Sequence, residues 1–113
     1  QIARCLAQEP ELLMMDEPFG ALDAMTRESL QDELLRLVRE QGLTVLFVTH
    51  DLEEAIYLGD RVIALRTNPT PEQPSLAAVI DVDIPYPRNQ LTTKEDPGFL
   101  RLRRELYHYL GHD

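Results

Sequence analysis

Two short apolar runs, LLMM at residues 12–15 and TVLFVT at residues 44–49, constrain the fold more than any other feature. Continuous runs of this length are typical of strands covered on both faces. Between them, the segment Ala24–Gln41 carries apolar residues at helical spacing, namely Met25, Leu30, Leu34, Leu37 and Val38. Gly42 follows as a stop signal, so the segment predicts an amphipathic helix. Strand, helix and strand in this order predict a βαβ unit with parallel strands.

The opening residues, QIARCLAQEP, read as the end of a helix that begins further upstream. Ile2 and Leu6 share one helical face, neither a capping residue nor a start methionine precedes them, and Pro10 closes the helix. We therefore expect the chain to be the C-terminal part of a longer protein.

The sequence predicts two more strands after the second apolar run. Asp51 and Glu54 have the spacing of a capping pair ahead of a short helix that stops near Gly59. The run VIAL at 62–65 predicts a brief strand. Residues 77–84 alternate in polarity and predict a half-exposed edge strand.

Two polar loops and a final helix complete the prediction. TNPTPEQPS at 67–75 is broken by prolines, and YPRNQLTTKEDP at 86–97 is predicted as a second loop. Asp96 and Pro97 are suited to the N-cap and the first position of a last helix. One face of that helix carries Phe99, Leu102, Leu106 and Tyr109.

Composition, net charge and cysteine content indicate which class of protein the chain belongs to and which partners are excluded. With 43% hydrophobic and 27% charged residues, the 113-residue chain has the composition of a globular domain. Its formal net charge of −9 argues against nucleic acid as a partner, because phosphate backbones select basic surfaces. The single Cys5 can form no internal disulfide and fits a reducing compartment.

Three chemically active residues follow directly on the two predicted parallel strands. Asp16 and Glu17 follow the first strand and His50 follows the second. Ligands of parallel α/β sheets bind at this edge, where strand ends and loops converge. Asp16 suits Mg²⁺, a hard cation that prefers oxygen ligands, and Glu17 beside it could accept a proton from an attacking water. A metal and a phosphate chain would offset the repulsion between the two adjacent acids.

Each of these residues also has a purely structural interpretation. Paired acids after a strand are common by chance, and a histidine at a strand end is more often a hydrogen-bonded structural residue than a catalytic one. Asp23 suits the N-cap of the long helix. Met14 and Met15 are expected in the core. Solvent-exposed positions are expected for Arg101, Arg103, Arg104, His108 and His112.

Several segments together resemble the ATP-binding cassette (ABC) ATPases. LLMMDEP is similar to the Walker B segment of that family, GALD at 20–23 to its D-loop, and VTHD at 48–51 to its switch histidine loop. IARCLAQEP is similar to the helix that follows the family's signature motif. DIPYPR and PGFLRLRREL resemble the nitrate, sulfonate and taurine branch of bacterial importers.

The resemblance implies a fold and a set of residue roles. The fold would be α/β, the C-terminal half of a parallel-sheet P-loop NTPase (RecA-like) core at 1–66, with a small C-terminal strand and helix extension at 67–113. Asp16 would hold Mg²⁺ through water, Glu17 would act as general base, and His50 would contact the γ-phosphate of ATP. Asp23 would belong to the D-loop that faces the other ATPase subunit.

The resemblance also implies partners. They are ATP and Mg²⁺, transmembrane permease subunits, a second copy of the ATPase subunit, and indirectly a periplasmic or extracellular binding protein. The location would be cytoplasmic, peripheral on the inner face of the membrane. The activity would be ATP hydrolysis coupled to uptake of a small anion such as nitrate, a sulfonate or taurine.

One departure from the family pattern bears on activity. The sequence contains no GxxxxGK[ST] phosphate loop, no LSGGQ-type signature and no Q-loop. We therefore expect the chain alone to be inactive as an ATPase. The alternative interpretation is a non-catalytic fragment with an interaction or structural role only. A DNA-repair or translation ATPase of related fold is disfavoured by the acidic balance.

Overall fold

The computed structural model describes residues 12–66, 70–72 and 75–110. The predicted N-terminal helix, Cys5 and His112 lie outside this part of the chain, as does part of the proline-broken loop. The described residues form four strands and four helices: β1 (Leu12–Asp16), α1 (Ala24–Gln41), β2 (Thr44–Val48), α2 (Leu52–Leu58), β3 (Arg61–Leu65), β4 (Leu76–Asp81), α3 (Thr92–Glu95) and α4 (Pro97–Tyr109). They belong to two compact units, residues 1–50 and 51–113, which are described in turn.

The first unit contains the predicted βαβ arrangement. Strands β1 and β2 pair in parallel, in a register that runs from Leu12 opposite Thr44 to Asp16 opposite Val48. The connection between them is α1, because two parallel strands require a crossover rather than a hairpin. The prediction of two parallel strands separated by an amphipathic helix is therefore confirmed.

Both ends of α1 are determined by local sequence. Asp23 is the N-cap, and its side chain accepts a hydrogen bond from the backbone N–H of Thr26. Gly42 ends the helix in the left-handed conformation, with φ 65°, and its N–H donates to the carbonyl of Val38. This backbone conformation costs little only for glycine, which has no Cβ.

Burial within the first unit differs from the sequence prediction. β1 is covered on one face only: Leu13 and Met15 are buried, whereas Leu12 and Met14 are 58% and 63% exposed. The placement of Met14 in the core was therefore wrong, because alternate strand residues point to opposite faces and only one face is covered here.

The buried face of α1 was also predicted only in part. Leu34 is buried as expected, but its buried companions are Gln31 and Leu35. Met25, predicted on the apolar face, is 82% exposed, while Leu37 and Val38 are half-buried. Helical spacing defines a stripe of apolar positions, and the neighbouring elements decide how much of that stripe is covered.

The second unit joins a strand pair to helices. β3 and β4 are antiparallel, from Arg61 opposite Asp81 to Leu65 opposite Leu76, with an irregularity between Ala64 and Leu65. The strand predicted at 77–84 is shorter than expected, because regular pairing ends at Asp81. Val82 and Ile84 nevertheless remain buried beyond it.

The core of the second unit lies between α2 and α4, which pack against each other. Its most deeply buried side chains are Ile56, Tyr57, Phe99 and Leu106. Asp51 caps α2 through hydrogen bonds from the backbone N–H groups of Glu53 and Glu54. Asp96 caps α4 ahead of Pro97, as predicted.

The second predicted loop, at 86–97, contains a short helix that the sequence analysis missed. Just ahead of this helix, α3, the side chain of Asn89 accepts hydrogen bonds from the N–H groups of Leu91 and Thr92. The hydroxyl of Thr93 in turn accepts one from the N–H of Asn89. Such local side-chain bonds to the backbone stabilise a turn of helix without any apolar periodicity.

Within the described ranges, no helix is both long and apolar enough to cross a membrane.

Candidate functional site at the strand ends

The first unit brings Glu17 and His50 into direct contact. The backbone N–H of Glu17 donates a 2.8 Å hydrogen bond to the carbonyl of Val48, which extends the β1–β2 pairing by one step. The Glu17 carboxylate oxygen Oε1 accepts a 2.8 Å hydrogen bond from the backbone N–H of His50. The ring nitrogen Nδ1 of His50 contacts the same oxygen. The meeting of these residues at one edge of the parallel pair thus matches the sequence-based expectation.

Glu17 adopts a strained backbone conformation. Its φ is +50°, which makes it the non-glycine residue with positive φ in the described part of the chain. Residues with a Cβ rarely occupy this region, and the strain costs about 1 kcal/mol or more. With this conformation the chain turns sharply at the end of β1. The Glu17 carboxylate then points toward the backbone N–H of His50. Strain of this kind is frequent at functional sites.

The site is open to solvent. The His50 side chain is 93% exposed and the Glu17 side chain is 36% exposed. A ligand can therefore reach both groups without rearrangement of the first unit. Because Nδ1 of His50 contacts the carboxylate, the other ring nitrogen, Nε2, is the one left to meet a ligand.

Asp16 is the last residue of β1 and is exposed. The residues described here contain no group of three or more His, Cys, Asp or Glu side chains able to hold a metal ion. One or two carboxylates are nevertheless what Mg²⁺ needs from a protein when water and substrate phosphates complete its shell. The exposed carboxylate of Asp16 is chemically suited to such a site.

Asp23 is held differently from the other candidate residues. Its carboxylate accepts a 2.7 Å hydrogen bond from the Thr26 hydroxyl and a 3.1 Å bond from the Thr26 backbone N–H. These two hydrogen bonds, the hydroxyl bond first, hold the pKa of Asp23 below its ordinary value. The structural role of N-cap is therefore confirmed. A role toward a second subunit stays a prediction.

Arg27 was not among the predicted site residues, yet it contacts the loop between Glu17 and Asp23. Its guanidinium donates to the backbone carbonyls of Phe19, Gly20 and Leu22. A sequence signal was available: a cation in the first turn of a helix faces the positive end of the helix dipole and calls for compensating acceptors.

The second unit contains further charged residues that the sequence singled out. Arg103 is half-buried and lies 3.6 Å from a carboxylate oxygen of Glu53, so it forms an ion pair that the sequence analysis did not foresee. Arg101 and Arg104 are exposed, as expected. His108 is also exposed and lies in α4.

Comparison with known proteins places these residues in a family context. No family model matches the chain. The nitrate import ATP-binding protein NrtC of Synechococcus elongatus is 47% identical over 109 residues, which are 96% of this chain and 16% of that protein. The bicarbonate transport ATP-binding protein CmpC of Synechocystis sp. is 43% identical over 97% of this chain and 16% of its own length.

A shorter relative gives the same result. The nitrate transport protein NasD of Klebsiella oxytoca is 39% identical over 96% of this chain and 40% of its own length. The chain therefore spans less than half of each of these relatives. Identity at this level extends over nearly the whole chain, including the loop and helix that follow β4. The chain belongs to the ATP-binding cassette (ABC) ATPases, in the branch that contains the nitrate import ATP-binding proteins.

Proposed function

We propose that this chain forms part of the ATP-binding and ATP-hydrolysing subunit of an importer for a small anion. The observation that carries the proposal is the contact between the Glu17 carboxylate and His50 at the ends of two parallel strands. A carboxylate and an imidazole at such an edge are suited to proton transfer and charge stabilisation during phosphoryl transfer. The relatives, one named as a nitrate import ATP-binding protein and one as a bicarbonate transport ATP-binding protein, support the same activity.

Glu17 is the proposed general base. Its carboxylate is partly exposed and fixed by the backbone N–H of His50, so it is aimed before any substrate arrives. Pre-aligned groups need no reorganisation when the proton of the attacking water is taken. His50 would orient the Glu17 carboxylate through Nδ1 and present Nε2 to the γ-phosphate oxygens of ATP.

Asp16 is the residue proposed to hold Mg²⁺, through water. With the ion held there, the site would supply positive charge that offsets the charge of the phosphate groups. Asp23, fixed as N-cap of α1, is proposed to face a second copy of the subunit through the segment GALD. Residues 1–66 are proposed to form the C-terminal half of a RecA-like P-loop NTPase core, and residues 67–113 a C-terminal extension.

The proposed cargo is a small oxyanion, with nitrate as the first candidate. Two of the relatives are named for nitrate and one for bicarbonate, and both ions are small, planar and singly charged. Sulfonates and taurine remain candidates from the wider branch. The proposed partners are membrane permease subunits, a second ATPase subunit and, indirectly, a substrate-binding protein, with the subunit on the cytoplasmic face of the membrane.

The hydrolysis proposal is tested with the whole protein that contains this chain. Glu17→Gln keeps the shape of the side chain but cannot take a proton, so hydrolysis should fall by about 10²-fold or more. ATP binding, measured by equilibrium dialysis, should change little. Glu33→Gln, at an exposed position of α1, is the matched control and should hydrolyse ATP as the wild type does. Wild-type turnover in Glu17→Gln would refute the general-base assignment.

The cargo is tested with the ATPase reconstituted with its permease and binding protein in vesicles. We expect nitrate supplied on the binding-protein side to stimulate hydrolysis, with no response to chloride. Stimulation by bicarbonate, a sulfonate or taurine in place of nitrate would assign that anion instead. No stimulation by any of the four would contradict the importer proposal.

A further inference from the structure

The loop between β1 and α1 is fastened by one side chain. The Nε of Arg27 donates to the carbonyl of Phe19 at 3.2 Å. Its Nη2 donates to the carbonyls of Gly20 at 3.4 Å and Leu22 at 3.2 Å. One half-buried guanidinium therefore binds three carbonyls within four consecutive loop residues.

The position of Arg27 is electrostatically unfavourable for the helix alone. Arg27 is the fourth residue of α1, and its backbone N–H makes the first helical hydrogen bond, 2.9 Å to the carbonyl of Asp23. Cations are disfavoured at this end of a helix, where the backbone dipole is positive. The carbonyl oxygens of the loop carry partial negative charge, which compensates for the repulsion between Arg27 and the helix dipole. The interaction thus serves the loop more than the helix.

The loop has few other internal restraints. The N–H of Gly20 reaches the carbonyl of Glu17 at 3.4 Å, and the N–H of Leu22 reaches that of Phe19 at 3.2 Å. These two backbone bonds are as long as the three that Arg27 makes, so the guanidinium supplies a large part of the hydrogen bonding of the loop. Phe19 anchors the middle of the loop, since it is 3% exposed and its ring lies 5.6 Å from that of Phe47. Arg27 adds bonds to Phe19 itself and to the residues that follow it, as far as Leu22.

The two ends of the loop are the two residues to which the proposed function assigns roles. Glu17 begins the loop in its strained conformation, and Asp23 ends it as the N-cap. We infer that Arg27 is a positioning residue, which holds the Phe19–Leu22 loop so that the Glu17 carboxylate stays directed at His50. The three hydrogen bonds that carry this inference all go to backbone carbonyls of the loop. For hydrolysis, the inference rests on the proposed function.

Two substitutions of Arg27 distinguish the effect of its planar guanidinium, with several N–H donors, from the effect of its positive charge. Arg27→Lys keeps the charge but offers a single ammonium centre, which cannot match a planar fork aimed at separated carbonyls. Arg27→Met keeps most of the stem and removes all donors. Arg36→Met is the matched control, on the same helix, where it breaks exposed bonds to the two oxygens of the Glu40 carboxylate, at 3.2 and 3.4 Å.

The first measurement uses the whole protein that contains this chain and does not depend on ATP hydrolysis. In Arg27→Met, backbone amide order parameters of residues 19–22 should fall from about 0.85 toward 0.6, the range of flexible backbone. Those of β1 and of the centre of α1 should not change. Arg27→Lys should give intermediate values, and Arg36→Met wild-type values. If Arg27→Met fails to fold, Arg27→Lys decides. A loop as rigid as the wild type in the deciding variant would overturn the inference.

The second measurement uses the whole protein. Arg27→Lys should lower kcat for ATP hydrolysis about tenfold, the loss expected when a general base is present but poorly aligned. Its KM for ATP should stay within about twofold of the wild type, because a positioning role affects the alignment of the base and not the binding of the nucleotide. An unchanged kcat with a loosened loop would overturn the positioning role. A wild-type protein without any ATPase activity would instead refute the proposed function, while the order parameters still decide whether Arg27 holds the loop.

Discussion

The backbone N–H of His50 donates a 2.8 Å hydrogen bond to the carboxylate of Glu17, a residue 33 positions earlier in the chain. This bond does not depend on the His50 side chain. The ring adds a second contact to the same oxygen. Both the backbone and the side chain of His50 therefore orient the Glu17 carboxylate.

The two contributions can be separated by mutation. In the chain, His50→Ala should leave the amide of residue 50 protected from hydrogen exchange, since the Glu17 carboxylate still accepts its N–H. Glu17→Ala should remove that protection, because the acceptor is gone. In the whole protein, His50→Ala should lower ATP hydrolysis by about 10²-fold through lost charge stabilisation.

The control for this pair is Glu17→Gln. Its amide oxygen can still accept the N–H of residue 50, so protection should persist. Equal amide exchange in Glu17→Ala and the wild type would contradict the hydrogen bond.

A second prediction concerns Arg88, whose side chain is fully buried in the second unit. Its Nη1 donates to the carbonyls of Ile56, Tyr57 and Gly59, which lie at the end of α2 and just after it. Its Nη2 donates to the carbonyl of Ile84. Arg88→Met fits the space but leaves these buried acceptors unsatisfied, so the free energy of unfolding should fall by about 2 to 4 kcal/mol.

Chemical denaturation followed by circular dichroism measures this loss. Arg61→Met is the matched control, because Arg61 makes only an exposed ion pair with Asp81 at 3.0 Å, and its substitution should cost no more than about 1 kcal/mol. Equal losses for the two variants would show that the buried bonds of Arg88 contribute little.

A third prediction follows from the lowered pKa of Asp23. Protonation of this carboxyl is harder in the folded chain than in the unfolded chain, because the ionised form accepts two hydrogen bonds from Thr26. The capping contribution to stability is therefore complete above the ordinary aspartate pKa of about 4, and it is lost as pH falls through the lower folded pKa.

Thr26→Val tests the cause of the shift. The substitution removes the hydroxyl donor and keeps the backbone N–H, so the pKa of Asp23 should rise toward its ordinary value. The variant should then lose the capping contribution at a higher pH than the wild type does. Carbon-detected NMR titration of the Asp23 carboxyl measures the pKa. Asp23→Asn, which can still cap, should make stability less dependent on pH in this range.

A fourth prediction concerns the free edge of β2. Among the described residues, β2 is paired with β1 alone, and the segment TVLFV is uncharged with Leu46 45% exposed. Uncharged strand edges of high β-propensity recruit other strands. We expect the isolated chain to associate with further copies of itself through this edge.

Light scattering at micromolar concentration tests the association. Leu46→Lys places a charge on the strand and should shift the chain toward the monomer. Glu33→Lys, on α1, introduces the same cation elsewhere and should not. A wild-type chain that is a well-folded monomer, with the amides of residues 44–49 protected from exchange, would contradict the prediction.

Much of the first unit could be predicted because its signals are local. The bounds of α1 follow from two local contacts. Asp23 accepts a hydrogen bond from a free N–H group at the start of the helix, and Gly42 ends the helix with a bond to the carbonyl of Val38. The parallel pairing of β1 and β2 follows from the length of the connection. Once parallel pairing is assumed, the meeting of Glu17 and His50 follows from geometry, since both come just after strands that end at the same edge.

Tertiary structure decided burial and the long-range polar contacts. The sequence pattern cannot distinguish Met14 from Met15, because which strand face is covered depends on elements distant in the chain. The sequence places Arg88 in a loop. It is nevertheless buried, because carbonyl groups at the end of α2 accept hydrogen bonds from its guanidinium. Propensity and periodicity describe each segment alone. Burial and hydrogen-bond partners are set only when segments far apart in sequence pack together.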